Sequence, residues 1–272
     1  MALLKPFKYL WLIPVFLAAT IHLTTTVAVG EQQSCSRVMG QDAAVLGEEL
    51  TAELEILSWN IQKASNNGWA EDLASVSQNV DLAFIQEASV QAGIPGAIPA
   101  DLHSVFAAGY TTATQETGVM TLSAGSPSSN CNLVSMEPWL RTPKATSITE
   151  YPLKDREDRL LAINLHAVNF DLGLESLQSQ LLALQDVLSS HPGPVILAGD
   201  LNTWSGPRQT AVDEFMGRHG LASVSFEPDL RTTAFGRALD HIYVRGLRTE
   251  DARVIPVSTS DHNPLRVRLS IQ

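Results

Sequence analysis

Val195-Ile196-Leu197-Ala198-Gly199-Asp200-Leu201-Asn202 decides the reading of this chain. Four apolar residues, short enough for a strand covered on both faces, run into a glycine and two polar side chains. Residues two apart in an extended segment share one face, so Asp200 and Asn202 can act together where the chain leaves a sheet. Gly199 allows the backbone a close approach. The same arrangement recurs in Leu57-Ser58-Trp59-Asn60, Phe84-Ile85-Gln86-Glu87, Asn164-Leu165-His166, Leu239-Asp240-His241 and Ser260-Asp261-His262. Carboxylates, amides and imidazoles at strand ends are what a sheet edge needs to gather acid/base groups and a hard cation over one phosphate.

Outward from these motifs, the pattern predicts strands alternating with helices. Glu53 to Trp59, Asp81 to Gln86, Val119 to Leu122, Arg159 to His166, Leu239 to Val244 and Leu265 to Ile271 read as strands. Trp69 to Asn79 reads as a short helix. Leu174, Leu177, Leu181, Leu184 and Leu188 recur at helical spacing with glutamines and serines opposite, which predicts one amphipathic helix. Ser205-Gly206-Pro207 carries helix-start chemistry and His219-Gly220 helix-stop chemistry. Ala92 to Pro99 and Gly125 to Ser129 read as loops.

An apolar fraction of 44% over 272 residues suits one large domain with a substantial core. Residues 1–30 stand apart: Lys5 and Lys8 precede the apolar stretch Tyr9 to Ile21, and Ala28-Val29-Gly30 offers small residues for a signal peptidase. Export to a periplasmic or extracellular space is expected, with an uncleaved N-terminal membrane anchor as the alternative. Residues 31–51 read as a leader and 52–272 as the domain. The two cysteines, Cys35 and Cys131, would pair in an oxidising compartment, the alternative being two free thiols; no zinc-type spacing exists. The net charge of −11 disfavours general nucleic-acid binding without a locally basic groove and bound cations.

Taken in order, the six motifs resemble those of the endonuclease/exonuclease/phosphatase superfamily, the deoxyribonuclease-like group that includes apurinic endonucleases, neutral sphingomyelinases and inositol polyphosphate 5-phosphatases. The resemblance covers about residues 52 to 272. It implies an α/β fold, a four-layer α/β/β/α sandwich of two packed mixed sheets flanked by helices, with the site at one end of the sheets. It also implies Mg²⁺ or Mn²⁺, a hard dication suited to the charge that builds on phosphate oxygens during hydrolysis.

The resemblance assigns roles residue by residue. Glu87 is the metal ligand, a carboxylate hard to place directly after Leu82-Ala83-Phe84-Ile85 without a partner. Asn60 supports that metal or touches the phosphate, and Asp261 matches a residue near it. Asp200 orients and deprotonates the attacking water, and Asn202 binds the phosphate. His262 donates to a phosphate oxygen with Asp240 fixing its tautomer and charge. His166 contacts the scissile phosphate, with Asn169 beside it; His241 stays outside the catalytic set. Gln62 departs from the apurinic endonucleases, which carry an acid two residues after the first asparagine, and argues against abasic-site repair.

These readings lead to a metal-dependent phosphoric ester hydrolase, a phosphodiesterase of nuclease or phospholipase type. Nucleic acid, a phospholipid or a small phosphodiester remain open as substrate. An exposed apolar loop beside the site would mark lipid use, and the Trp139 segment, Val134 to Pro143, is a candidate. A monomer without an obligate protein partner is expected. The alternative is a catalytically silent secreted or envelope binding domain on the same fold.

Overall fold

A computed structural model describes residues 35–40, 47–171 and 173–272. The expected signal or anchor, residues 1–30, lies outside the described residues, as does much of the 31–51 leader. Among the described residues no helix is long and apolar enough to cross a membrane.

Two six-stranded sheets form the centre. The first contains β1 (Glu53–Asn60), β2 (Leu82–Ser89), β3 (His103–Thr111), β4 (Glu116–Ser123), β13 (Leu247–Val254) and β14 (Leu265–Ile271), in the order β13-β14-β1-β2-β4-β3. The second contains β5 (Ser129–Met136), β6 (Pro143–Pro152), β7 (Arg159–His166), β8 (Val195–Asp200), β9 (Ala222–Ser223) and β12 (Asp240–Arg245), in the order β5-β6-β7-β8-β12-β9. A two-stranded hairpin, β10 (Thr233–Ala234) and β11 (Arg237–Ala238), stands apart. Each large sheet is mixed: β1 with β2 and β7 with β8 run parallel, and the other neighbours are antiparallel.

The two-residue period of a strand sorts its side chains into layers. Leu54 and Ile56 of β1, Leu82 and Phe84 of β2, Leu160 and Ala162 of β7, Ile196 and Ala198 of β8, and Ile242 and Val244 of β12 share one core between the sheets. Their alternates face helices. Leu57, Trp59, Ala83 and Ile85 pack under α1 (Trp69–Val76). Leu161, Ile163, Leu165 and Leu197 pack under α2 (Glu175–Leu182), α3 (Gln185–Ser190) and α4 (Gly206–Arg218). This is the expected four-layer α/β/β/α sandwich.

Continuing that parity to the strand ends carries Asn60, His166, Asp200 and Asp240 to the inter-sheet side, where apolar packing gives way to polar groups. Just beneath, Gln86 Nε2 donates to Asn164 Oδ1 at 2.8 Å and Asn164 Nδ2 to the Met120 carbonyl at 3.0 Å, tying the two sheets together. Cys35 is buried and bonded to Cys131, the pairing expected of an oxidised chain.

Two stretches differ from expectation: Ala92 to Pro99, read as a loop, contains a short 3-10 helix at Ile94–Ala97, and one expected helix is divided. The leucine stripe from 174 to 188 is two helices, broken where Leu184 N donates to Leu181 O at 2.9 Å. An i to i−3 bond tightens the turn without moving the leucines off the buried face, so a periodicity of three and four cannot reveal it. The helix from Gly206 begins as predicted: Ser205 Oγ accepts the Arg208 N–H at 3.4 Å and Pro207 lies in the first turn.

Candidate active site

Asp200 ends β8, flanked in register by His166 of β7 and Asp240 of β12. Gly199 makes this crowding feasible. Its φ is +150° and a Cβ would lie 1.9 Å from the Leu165 carbonyl oxygen, so no side chain fits between β7 and β8 there. Both Asp200 oxygens are held: Oδ1 accepts the Asn202 N–H at 3.0 Å and Oδ2 accepts Asn60 Nδ2 at 3.1 Å. Burial, then the nearby Asp240 charge, raises the Asp200 carboxyl to about 6, although His262 and its two hydrogen bonds oppose the shift. A carboxylate with a pKa near neutrality suits a general base.

His262 lies across from it, with Nε2 3.9 Å from Asp200 Oδ2 and Nδ1 2.7 Å from Asp240 Oδ2. Burial alone would lower this imidazole. The Asp240 carboxylate overrides that effect, with Asp200 and Asp261 adding to it, and holds His262 at about 10, so the ring is a cation at neutral pH. Its backbone is anchored to β1: Trp59 Nε1 donates to the His262 carbonyl at 2.9 Å, and Ser260 Oγ donates to the Asn60 carbonyl at 2.7 Å.

His166 has the opposite character. Burial first, then the positive charges of Lys144, His262 and Lys63, push it well below the usual histidine range. As a neutral ring it can accept a hydrogen bond from Lys144, whose Nζ is 3.0 Å from Nε2. That same Nε2 is 3.6 Å from Asp200 Oδ2. Two histidines on either side of one carboxylate therefore differ in charge, and their neighbours set the difference.

Asn202 adopts φ +49° and Glu87 φ +50°, the left-handed region that non-glycine residues rarely occupy and that costs about 1–3 kcal/mol. Glu87 needs it. Straight alternation would direct its carboxylate with Ala83 and Ile85 into the apolar helix-covered layer, whereas a bulge between Ile85 and Ala88 returns Ala88 to that layer and frees Glu87. Glu87 Oε2 lies 3.6 Å from Lys63 Nζ, and the side chain is about one quarter exposed.

Among the described residues, Asp200, Asp240 and His262 form the group whose ligand atoms are close enough to hold one divalent ion. Their donor types suit a divalent cation. Within that group Asp240 is already hydrogen-bonded to a cationic His262, whereas Glu87 is an accessible carboxylate with one distant ion pair. Asp261 is exposed, with Oδ1 3.5 Å from Ser260 Oγ, and Asn60 Oδ1 accepts the Gln62 N–H at 3.1 Å.

Several site residues carried no sequence signal. Lys144 lies within β6, 3.8 Å from buried Glu137, and nothing in Pro143-Lys144-Ala145 marks it. Arg208 is almost wholly buried, its Nε donating to the Asn202 carbonyl at 2.7 Å and its Nη2 to the Val168 carbonyl, which clamps the loops after β7 and β8. Gln180 of α2 donates to the His166 carbonyl and accepts the Val168 N–H, both at 2.9 Å. His241 is buried with Nε2 2.7 Å from Thr203 Oγ1 and Nδ1 3.2 Å from Arg231 Nη1; burial, then Arg231, lowers it to about 4. Asn169 accepts the Trp204 indole N–H at 3.0 Å.

Residues 57–262 match the model of the Endonuclease/Exonuclease/phosphatase family. The chain belongs to that family. The curated UPF0294 protein of Klebsiella pneumoniae (strain 342) is 39% identical over 222 residues, covering 80% of this chain and 82% of its own. An endonuclease/exonuclease/phosphatase family protein from Leptotrichia buccalis superposes with a TM-score of 0.62 at 14% identity, over 80% of this chain and all of that one. The mannosyl-6-phosphatase of Bacteroides thetaiotaomicron gives 0.58 at 16%, with the same coverage. At these identities the structural likeness concerns the fold. The family fold and the buried Asp200, Asp240 and His262 together support a metal-dependent hydrolase of phosphate esters.

Proposed function

We propose that this protein is a Mg²⁺- or Mn²⁺-dependent phosphodiesterase in which Asp200 activates the attacking water. The observation that carries this reading is the pairing around one carboxylate: Asp200 with a pKa near neutrality, facing a His262 that Asp240 holds cationic. One group accepts a proton and the other donates a hydrogen bond at the same pH.

Asp200 takes a proton from water, the water oxygen forms a bond to phosphorus, and the bond to the ester oxygen breaks. The leaving alcohol carries away its electron pair and is protonated from solvent or from the site. His262 donates a hydrogen bond to a nonbridging oxygen, where negative charge grows. Asn202 binds the phosphate, and Asn60 keeps Asp200 Oδ2 aimed at the water. His166 meets the scissile phosphate from the side of β7. Glu87, Asn60 and Asp261 are the residues that would hold the divalent cation, which when bound would supply positive charge against the negative charge that grows during the reaction.

The enzyme acts outside the cytoplasm in this reading, supported by the Cys35 to Cys131 disulfide. A silent binding domain would not need a strained Glu87 together with an oppositely tuned Asp200 and His262. The test is turnover by purified protein on supercoiled plasmid, sphingomyelin and a phosphate-release panel, with Mg²⁺ or Mn²⁺ and with chelator. Cleavage of a diester that needs metal is expected. Well-folded protein inert on all three would favour the binding domain.

A further inference from the structure

We infer that the cavity beside Asn202 is a subsite for the hydrocarbon chain of a lipid phosphodiester, an inference that rests on the phosphodiesterase reading and names its substrate class. The cavity is about 420 Å³, and Trp139, Phe170, Trp204, Phe235 and Leu239 line it together with Asn202. It therefore opens directly onto a residue of the phosphate site.

Its floor is built rather than incidental. Trp204 follows Asn202 by two residues and is pinned by the hydrogen bond to Asn169 Oδ1. The Arg208 guanidinium sits 5.3 Å from its ring centroid on one side, and Phe235 meets it edge-on at 6.2 Å. The rim is apolar and outward-facing. Phe235, at the turn of the hairpin made by β10 and β11, is 90% exposed; Trp139 is 66% and Phe170 53% exposed. Three loops distant in sequence thus bring aromatic rings to one opening, a grouping that water does not favour and that marks a binding surface.

Two observations select a hydrocarbon over a nucleobase. Recognising a base edge needs polar groups facing the ligand, whereas the lining here is largely apolar and its few polar side chains are partly engaged: Asn169 Oδ1 by Trp204, Asp171 by the Gly173 and Ser176 N–H groups, and one Asn202 amide hydrogen by the Ala167 carbonyl. The chain also carries a net charge of −11, which repels a polyanion and tolerates a zwitterionic headgroup.

The test uses the full chain and soluble substrates, so that residues 1–30 cannot contribute by anchoring. Wild type, Phe235→Ser and Trp139→Ser are assayed on dihexanoyl phosphatidylcholine below its aggregation concentration, on glycerophosphocholine and on a dinucleotide. Binding of the same three compounds to Asp200→Asn is followed by calorimetry. Both rim residues are exposed, so these substitutions leave the core intact. The expected result is a kcat/KM at least about tenfold higher for the acylated compound than for its deacylated headgroup, a preference that falls severalfold in both rim variants. Metal- and Asp200-dependent turnover without acyl preference, or a dinucleotide preference lost on Phe235→Ser, overturns the subsite while leaving the phosphodiesterase reading standing. Acyl-dependent binding to Asp200→Asn with no turnover by wild type supports the subsite and overturns the phosphodiesterase reading.

Discussion

Asn60 and Asp200 belong to different sheets, yet Asn60 Nδ2 donates to Asp200 Oδ2 at 3.1 Å. This one hydrogen bond closes the sandwich at the end where β1 and β8 finish, and it makes the orientation of the proposed base depend on the packing of both sheets. Asn60→Ala should lower kcat by about ten- to a hundredfold with a smaller change in KM, and should move the acid limb of the pH profile upward, because a hydrogen bond to the charged form is lost. Steady-state kinetics across pH checks both effects.

The pH dependence follows from two signs. Asp200 must be ionised to accept a proton, so activity should rise as pH passes about 6. His262 must stay protonated to donate, so activity should fall as pH approaches about 10. In Asp240→Asn, burial still lowers the imidazole and its main opponent is gone, so the alkaline limb should move down while the acid limb moves little or falls slightly. A kcat/KM profile for the two proteins measures this.

Glu87→Gln keeps the shape of the side chain and removes its charge. The concentration of Mg²⁺ giving half-maximal rate should rise at least about tenfold, while the fold, followed by circular dichroism, should be unchanged because the carboxylate lies at a partly exposed bulge outside the apolar layers. Chelator should abolish wild-type activity and added Mg²⁺ restore it.

The disulfide closes a loop with a sequence separation of 96 residues. Replacing both cysteines by serine should cost about 2–4 kcal/mol, read as a fall in Tm, and should lower the rate only slightly, since Cys35 and Cys131 belong to the helix-side core whereas Asp200 faces the other sheet.

The motifs were legible because chemistry-bearing residue types rarely end apolar strands without a function, whereas the gathering of Asn60, His166, Asp200 and Asp240 at one end of two sheets is a product of the strand pairing and had no local mark. Edge and polar strands were harder to see. In Ser129 to Met136 and Leu247 to Val254 few residues are buried, so hydrophobic alternation is faint. Lys144 and Arg208 were invisible for another reason: each acts through a contact with a residue distant in sequence, His166 in one case and the Asn202 and Val168 carbonyls in the other. Local pattern records what a residue is, whereas these roles come from what the fold puts beside it. The bulge that releases Glu87 is likewise a property of pairing with β4 and has no local mark.

The most direct test of Asp200 as the base is the rate of Asp200→Asn at saturating Mg²⁺ on the best phosphodiester found for wild type. The substitution is nearly isosteric and removes the proton acceptor. A fall in kcat of about 10²- to 10⁴-fold, with loss of the acid limb near pH 6, is predicted. A rate within tenfold of wild type and an unchanged acid limb would contradict the assignment and move the base to another group.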